Sequence, residues 1–242
     1  MILCIDSGNS RIKYGLWDGV GWCRSGSCAQ ADGDALGEIR GEWPMPRRIM
    51  LANVAGAGAE AGIRAALGDW GVRLEVVRST AQAAGVRNGY RDPGRLGVDR
   101  WCALIGARAL RPGALLVVMA GTATTIDALD GDGNFLGGLI LPGQQLMLGA
   151  LARDTAGLPF AAGEHRAWPQ CTDDAIVSGA IEAQVGAIER AWSRLPGNER
   201  HCLLSGGNAG LLQPFLAMSM VRMDNLPMYG LKELARETSR ET

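Results

Sequence analysis

The chain has 242 residues, enough for one large domain or two small lobes with a buried core in either case. Its 24 Lys and Arg against 25 Asp and Glu leave a net charge of −1 with no basic block, which gives no reason to expect nucleic acid and keeps small polar or anionic ligands open. A hydrophobic content of 47% excludes a disordered chain, while 35 glycines point to tight turns and close backbone packing.

Six cysteines are scattered without a C-x-x-C pair and without a histidine at metal-ligand spacing, so neither a zinc site nor a disulfide framework is expected. The opening residues lack a basic n-region and no apolar run reaches about 18 residues, so a cytoplasmic protein without a membrane span is expected.

In chain order, Ile2 to Asp6 reads as a buried strand ending on a carboxylate. It turns through Gly8 and Asn9 and returns as a second strand bearing Arg11 and Lys13, with a further turn and a third strand over Trp17 to Gly26. A helix over 31–41, a strand over 48–54, a helix over 57–70 closed by Gly71 and an alternating strand over 72–77 follow. Val98, Trp101, Cys102, Ile105 and Ala109 recur at helical spacing, so a helix begins close to Gly97 with Asp99 in its first turn. The same order then starts again. Strands are expected over 114–120, 122–129 and 135–141, with Asp130-Gly-Asp-Gly133 as a hairpin turn, then helices over 144–153 and 173–195. A strand from Cys202 ends in Ser205-Gly-Gly-Asn208, followed by a helix to about 217, a short strand near 220 and an amphipathic helix from Met228. Three strands, then helix, strand, helix, strand, given twice, predicts a duplicated α/β fold of two ribonuclease-H-like lobes, 1–112 and 113–242.

Two turns carry the chemistry. Asp6 at a strand end can hold a hydrated Mg²⁺, and the small residues Ser7, Gly8, Asn9 and Ser10 bring backbone N–H groups toward phosphate oxygens. Asp-x-Gly after an apolar run is equally the pattern of an ordinary hairpin. The echo at Ala120-Gly121-Thr122 favours phosphate, with Lys13 and Thr122 as contacts and the two turns gripping a nucleotide from either side. Asp99, at a helix N-terminus beside Arg100, can accept the proton of an attacking hydroxyl or can simply stabilise the helix start. Thr172-Asp-Asp reads as an N-cap with acidic first-turn residues. Its helix has an apolar stripe and a second face at Gly179, Ala180, Ala183 and Ala187, which suits either a partner subunit or a large monomer core. Neither histidine sits in a catalytic pattern.

With those residues in place, the chain resembles the type III pantothenate kinases of the acetate-and-sugar-kinase/Hsc70/actin superfamily. The matching pieces are Asp6-x-Gly-Asn-Ser-x-x-Lys13, Gly97-Val-Asp-Arg100, Gly121-Thr-Ala-Thr-Thr-Ile-Asp127, Gly137-Gly-Leu-Ile-Leu-Pro-Gly143 and Asp174-Ala-Ile-x-x-Gly179, in the family's order. The resemblance implies an actin-like ATPase fold and ATP-dependent phosphorylation of pantothenate to 4′-phosphopantothenate. It implies that Asp6, Ser7, Gly8, Asn9, Ser10, Arg11, Ile12 and Lys13 form the first phosphate loop, with Asp6 at Mg²⁺, and that Thr122 belongs to the second. Asp99 is then the base, and Tyr90, Gly97, Val98, Asp99 and Arg100 line the pantothenate site. Thr172 matches a Thr that reaches pantothenate from the neighbouring subunit of a homodimer, although Cys171 stands where Asn is common. A monovalent cation, K⁺ or NH₄⁺, is also implied, but Met119 stands where many members have the Asp associated with it, and a thioether is a poor ligand for a hard cation. The competing expectations are a kinase for another small hydroxyl acceptor and a non-catalytic nucleotide-binding regulator on the same scaffold.

Overall fold

The computed structural model describes residues 1–33 and 35–238. Its elements run β1 (Ile2–Ser7), β2 (Arg11–Trp17), β3 (Trp22–Ala29), α1 (Ala35–Glu42), β4 (Arg48–Asn53), α2 (Ala57–Leu67), β5 (Leu74–Val76), β6 (Gln82–Ala83), β7 (Val86–Arg87) and α3 (Val98–Leu110). They continue with β8 (Ala114–Ala120), β9 (Ala123–Leu129), β10 (Phe135–Pro142), α4 (Gln144–Asp154), α5 (Thr172–Arg194), β11 (Arg200–Ser205), α6 (Ala209–Leu212), β12 (Val221–Arg222) and α7 (Leu226–Thr238). No described helix is long and apolar enough to cross a membrane.

The chain divides into two compact units, one of Met1–Pro112, Asp132–Phe135 and the stretch from Asn225, the other of Gly113–Gly131 and Leu136–Asp224. The sheet orders are β3-β2-β1-β4-β5 and β10-β9-β8-β11-β12, the same arrangement twice. In each, an antiparallel hairpin supplies the first strand, and the later strands join it in parallel. This is the duplicated α/β architecture of the actin-like ATPases and sugar kinases.

Strand period decides what each face of the first sheet does. Leu3 and Ile5 point into a core with Ile12, Leu16, Leu36, Ile39, Ile63 and Leu67, under α1 and α2. Cys4 points the other way, against Met50, Cys102 of α3 and Met228, Leu231 and Ala235 of α7. Asp6, two residues on, shares the Cys4 face and so comes to α3, where Asp99 lies three residues before Cys102. In the second unit, Leu116, Val118, Ala120, Ile126 and Leu204 pack on Ile176, Ala180, Ile181, Val185 and Ile188 of α5.

One expectation is corrected. The terminal helix, expected in the second lobe, packs on α3 in the first unit, where a Cβ at Gly230 would overlap the Cys102 carbonyl and one at Gly106 would stand 2.5 Å from the Leu226 carbonyl oxygen. Small residues at that crossing let two helices approach closely, which a single helix's periodicity does not reveal. The turn expected after Trp17 is made by Asp18, which accepts from the Val20 and Gly21 amides, so β2 ends at Trp17 and β3 begins at Trp22. The residues between β10 and α4 need Gly143, and those after β11 need Gly206 at φ +100°.

Candidate functional site

In the first unit the loop from β1 to β2 is closed by the Gly8 amide donating to the Arg11 carbonyl at 3.0 Å. Asp6 stands opposite Lys13 in the hairpin register. The Ser7 hydroxyl is buried and donates to Gln30 Oε1 at 3.4 Å, while Asn9 and Ser10 are exposed at the tip. The Arg11 guanidinium turns along the sheet to Ser27 Oγ at 2.6 Å. Ile12 is buried in the core, so its side chain anchors the loop and only its backbone is available to a ligand.

Asp6 has its carboxyl pushed up to about 7, first by burial and then by the charge of Asp99, with Lys13 pulling the other way. Two carboxylates thus share one corner of the first unit, with one lysine opposing their repulsion. Mg²⁺ is typically held by one or two carboxylates together with substrate phosphate, so Asp6 fits as a metal donor, and a divalent cation there would relieve the repulsion that raises it.

Asp99 is set by backbone. Gly97 caps α3, and Asp99 Oδ1 folds back to accept from the Arg100 amide at 2.8 Å. A Cβ on Gly97 would stand 2.7 Å from that oxygen. Arg100 is buried, donates from Nη1 to the Tyr90 hydroxyl at 2.8 Å and lies over the Tyr90 and Phe135 rings. Those rings stack with centroids 5.7 Å apart. A buried guanidinium held by a phenol and two rings is a fixed cation suited to a carboxylate-bearing ligand. Val98 is partly buried against the α7 side of the core. The structure therefore brings Asp6, Lys13 and Asp99 together in the first unit, with the Arg100–Tyr90 contact starting one residue further along α3.

Two contributors escaped the sequence reading. Asn88 donates to the Thr80 and Pro93 carbonyls and accepts from the Tyr90 amide, lashing the loop that presents Tyr90. An Asn-Gly pair at 88–89 was the available signal. Phe135 gave none, since its role depends on the 132–135 segment joining the first unit.

In the second unit Gly121 and Thr122 form the turn between β8 and β9, with Thr122 exposed. The Gly143 amide donates to the Thr122 carbonyl at 2.9 Å, and a Cβ at Gly143 would stand 2.6 Å from that oxygen. This seats the N-terminus of α4, which has no side-chain cap, directly on the turn. Asn208 Nδ2 donates to the Gly121 carbonyl at 3.0 Å and the Asn208 amide to Ala120, clamping the same turn from the β11 side. Backbone amides at an uncapped helix start beside a Gly-Thr turn make an anion-binding surface. Thr172 is exposed and is the first residue of α5, with Cys171 rather than Thr172 in the cap position and no side-chain cap bond. His165 pairs with Glu182 at 2.7 Å and lies on Phe215, in a contact of the second unit's surface.

A duplicated actin-like fold with a Gly-containing turn after the first strand of each sheet and a carboxylate pair beside the first turn is an arrangement that phosphoryl transfer can use. The family model for type III pantothenate kinase matches residues 2–194, and the chain belongs to that family. A type III pantothenate kinase from Dechloromonas aromatica is 55% identical over 97% of this chain and 99% of its own. One from Aromatoleum aromaticum is 50% identical over 98% of each. Among solved structures, a Campylobacter jejuni protein described as belonging to the Baf family of transcriptional activators superposes with TM-score 0.65 at 21% identity, covering 98% of this chain and 99% of that one, a likeness of fold.

Proposed function

We propose that this chain transfers the terminal phosphoryl group of ATP to the primary hydroxyl of pantothenate, giving 4′-phosphopantothenate, the first step toward coenzyme A. The observation that carries this reading is the Asp6–Asp99 pair beside the buried Arg100–Tyr90 contact. Arg100 supplies the positive charge for the pantothenate carboxylate, and Tyr90, Gly97 and Val98 shape the space around it. Asp99 orients the substrate hydroxyl and takes up its proton as the oxygen attacks phosphorus. Asp6 holds the magnesium side of the nucleotide, and Lys13 with the backbone of Ser7 to Ile12 neutralises phosphate charge. Thr122 and the α4 N-terminus bind phosphate in the second unit. Bound Mg²⁺ supplies charge neutralisation of the phosphate oxygens.

The same reading makes the protein a cytoplasmic homodimer. Gly179 and Ala183 are exposed on α5, a small-residue face that a second copy can approach closely, and Thr172 at the head of that helix would then reach the partner's substrate.

The test is turnover. Folded protein with MgATP and pantothenate is expected to form phosphopantothenate, seen by mass spectrometry, with ADP released in equal amount. No product at millimolar ATP rejects the proposal.

A further inference from the structure

The second sheet itself tests whether the monovalent cation implied by the family resemblance fits this chain. Ser205 of β11, Met119 of β8 and Thr125 of β9 stand opposite one another in register, so the pleat sends all three side chains to one face. Ser205 is fully buried, Thr125 is 7% exposed, and neither hydroxyl has a hydrogen-bond partner. The row thus offers two neutral hydroxyl oxygens flanking a thioether. A K⁺ or NH₄⁺ ion taken out of water needs several hard oxygen donors to replace its hydration shell, and a thioether sulfur is not one of them. The buried carboxylate nearest in sequence, Asp127, shares this face but lies two residues further along β9, about 6.8 Å by strand rise, and is engaged in interactions of its own. Among the described residues, no group of three or more His, Cys, Asp or Glu side chains could hold a metal ion. The residues present do not fit the cation.

We propose that this chain works without a bound monovalent cation, the row Ser205–Met119–Thr125 being a neutral replacement for a cation site. The proposal rests on the kinase reading, and the two fail in different ways. If the kinase reading is wrong, no salt gives product. If the cation proposal is wrong, product appears but depends on the salt.

The experiment measures initial rates with MgATP and pantothenate at matched ionic strength in tetramethylammonium, potassium or ammonium chloride. Rates within about twofold of one another are expected, and a rise of about tenfold or more with K⁺ or NH₄⁺ overturns the proposal. A second readout is independent of activity: the melting temperature in the same three salts, with and without MgATP. Equal values are expected, and a rise specific to K⁺ or NH₄⁺ overturns the proposal even if no turnover is seen. Met119→Asp restores a hard anionic donor between the two hydroxyls and is expected to make melting or rate respond to K⁺. A folded variant indifferent to K⁺ shows that residue 119 does not control cation binding and also counts against the proposal. If that variant does not fold, the wild-type salt series decides alone.

Discussion

Asp6→Asn separates the cost of the site from its use. In the wild type the Asp6 carboxyl rises from 3.8 to about 7, with burial as the main cause and the Asp99 charge second. At about 1.4 kcal/mol per pKa unit, a fully ionised Asp6 costs the metal-free fold about 4 kcal/mol. Asp6 keeps partial access to water, which screens part of this, so an asparagine of nearly the same shape should recover about 1–3 kcal/mol at pH 8. The sign follows from proton uptake. Between about pH 4 and 7 the native state holds a proton at Asp6 that the unfolded chain has released, so this group's contribution to wild-type stability falls as pH rises through that window. Asparagine has no such dependence. In chelator-containing buffer, Asp6→Asn should therefore melt about 3–8 °C above the wild type at pH 8, with the gap closing toward pH 4. Turnover should collapse while pantothenate binding in calorimetry persists, since Arg100 and Tyr90 are untouched. A variant no more stable than the wild type at pH 8, or a gap independent of pH, would refute the placement of Asp6 in a strained carboxylate pair; loss of pantothenate binding by the folded variant would refute its assignment to the metal.

Two further outcomes follow from packing. Gly230→Ala drives a methyl into the Cys102 carbonyl where α7 crosses α3, and should cost about 3 kcal/mol, lowering the melting temperature by about 6 °C or more; an unchanged melting curve would contradict the close crossing. Light scattering of the purified protein should give the mass of two chains, and Gly179→Arg, on the exposed small-residue face of α5, should shift it to one; a monomeric wild type would remove the dimer and the role of Thr172 with it.

The repeated order of elements was legible because each sheet opens with a buried run, a Gly-containing turn and a second strand, a pattern set by local chemistry. Asp6, Lys13 and Asp99 were legible for the same reason, standing at a strand end, across a hairpin and in a helix's first turn. What escaped depends on distant partners. β6 and β7 are two residues each, too short for any periodicity, and are held by the Gly133 carbonyl accepting from Arg87. α7 reads as amphipathic, but which core it covers is decided by Gly106 and Gly230 meeting across a crossing more than a hundred residues apart in sequence. Ile12 sits inside the phosphate-loop motif and yet is core, because hairpin alternation turns it inward. Arg100, adjacent to Asp99 in sequence, sends its guanidinium to the ring of Tyr90, an aromatic cradle completed by Phe135.

The central assignment is that Asp99 takes the proton, and turnover of Asp99→Asn against the wild type tests it most directly. At saturating MgATP and pantothenate, kcat should fall about 100-fold or more while the KM for pantothenate changes little, since the asparagine keeps the shape and the contact to the Arg100 amide. A folded Asp99→Asn protein that retains a kcat close to wild type would contradict it.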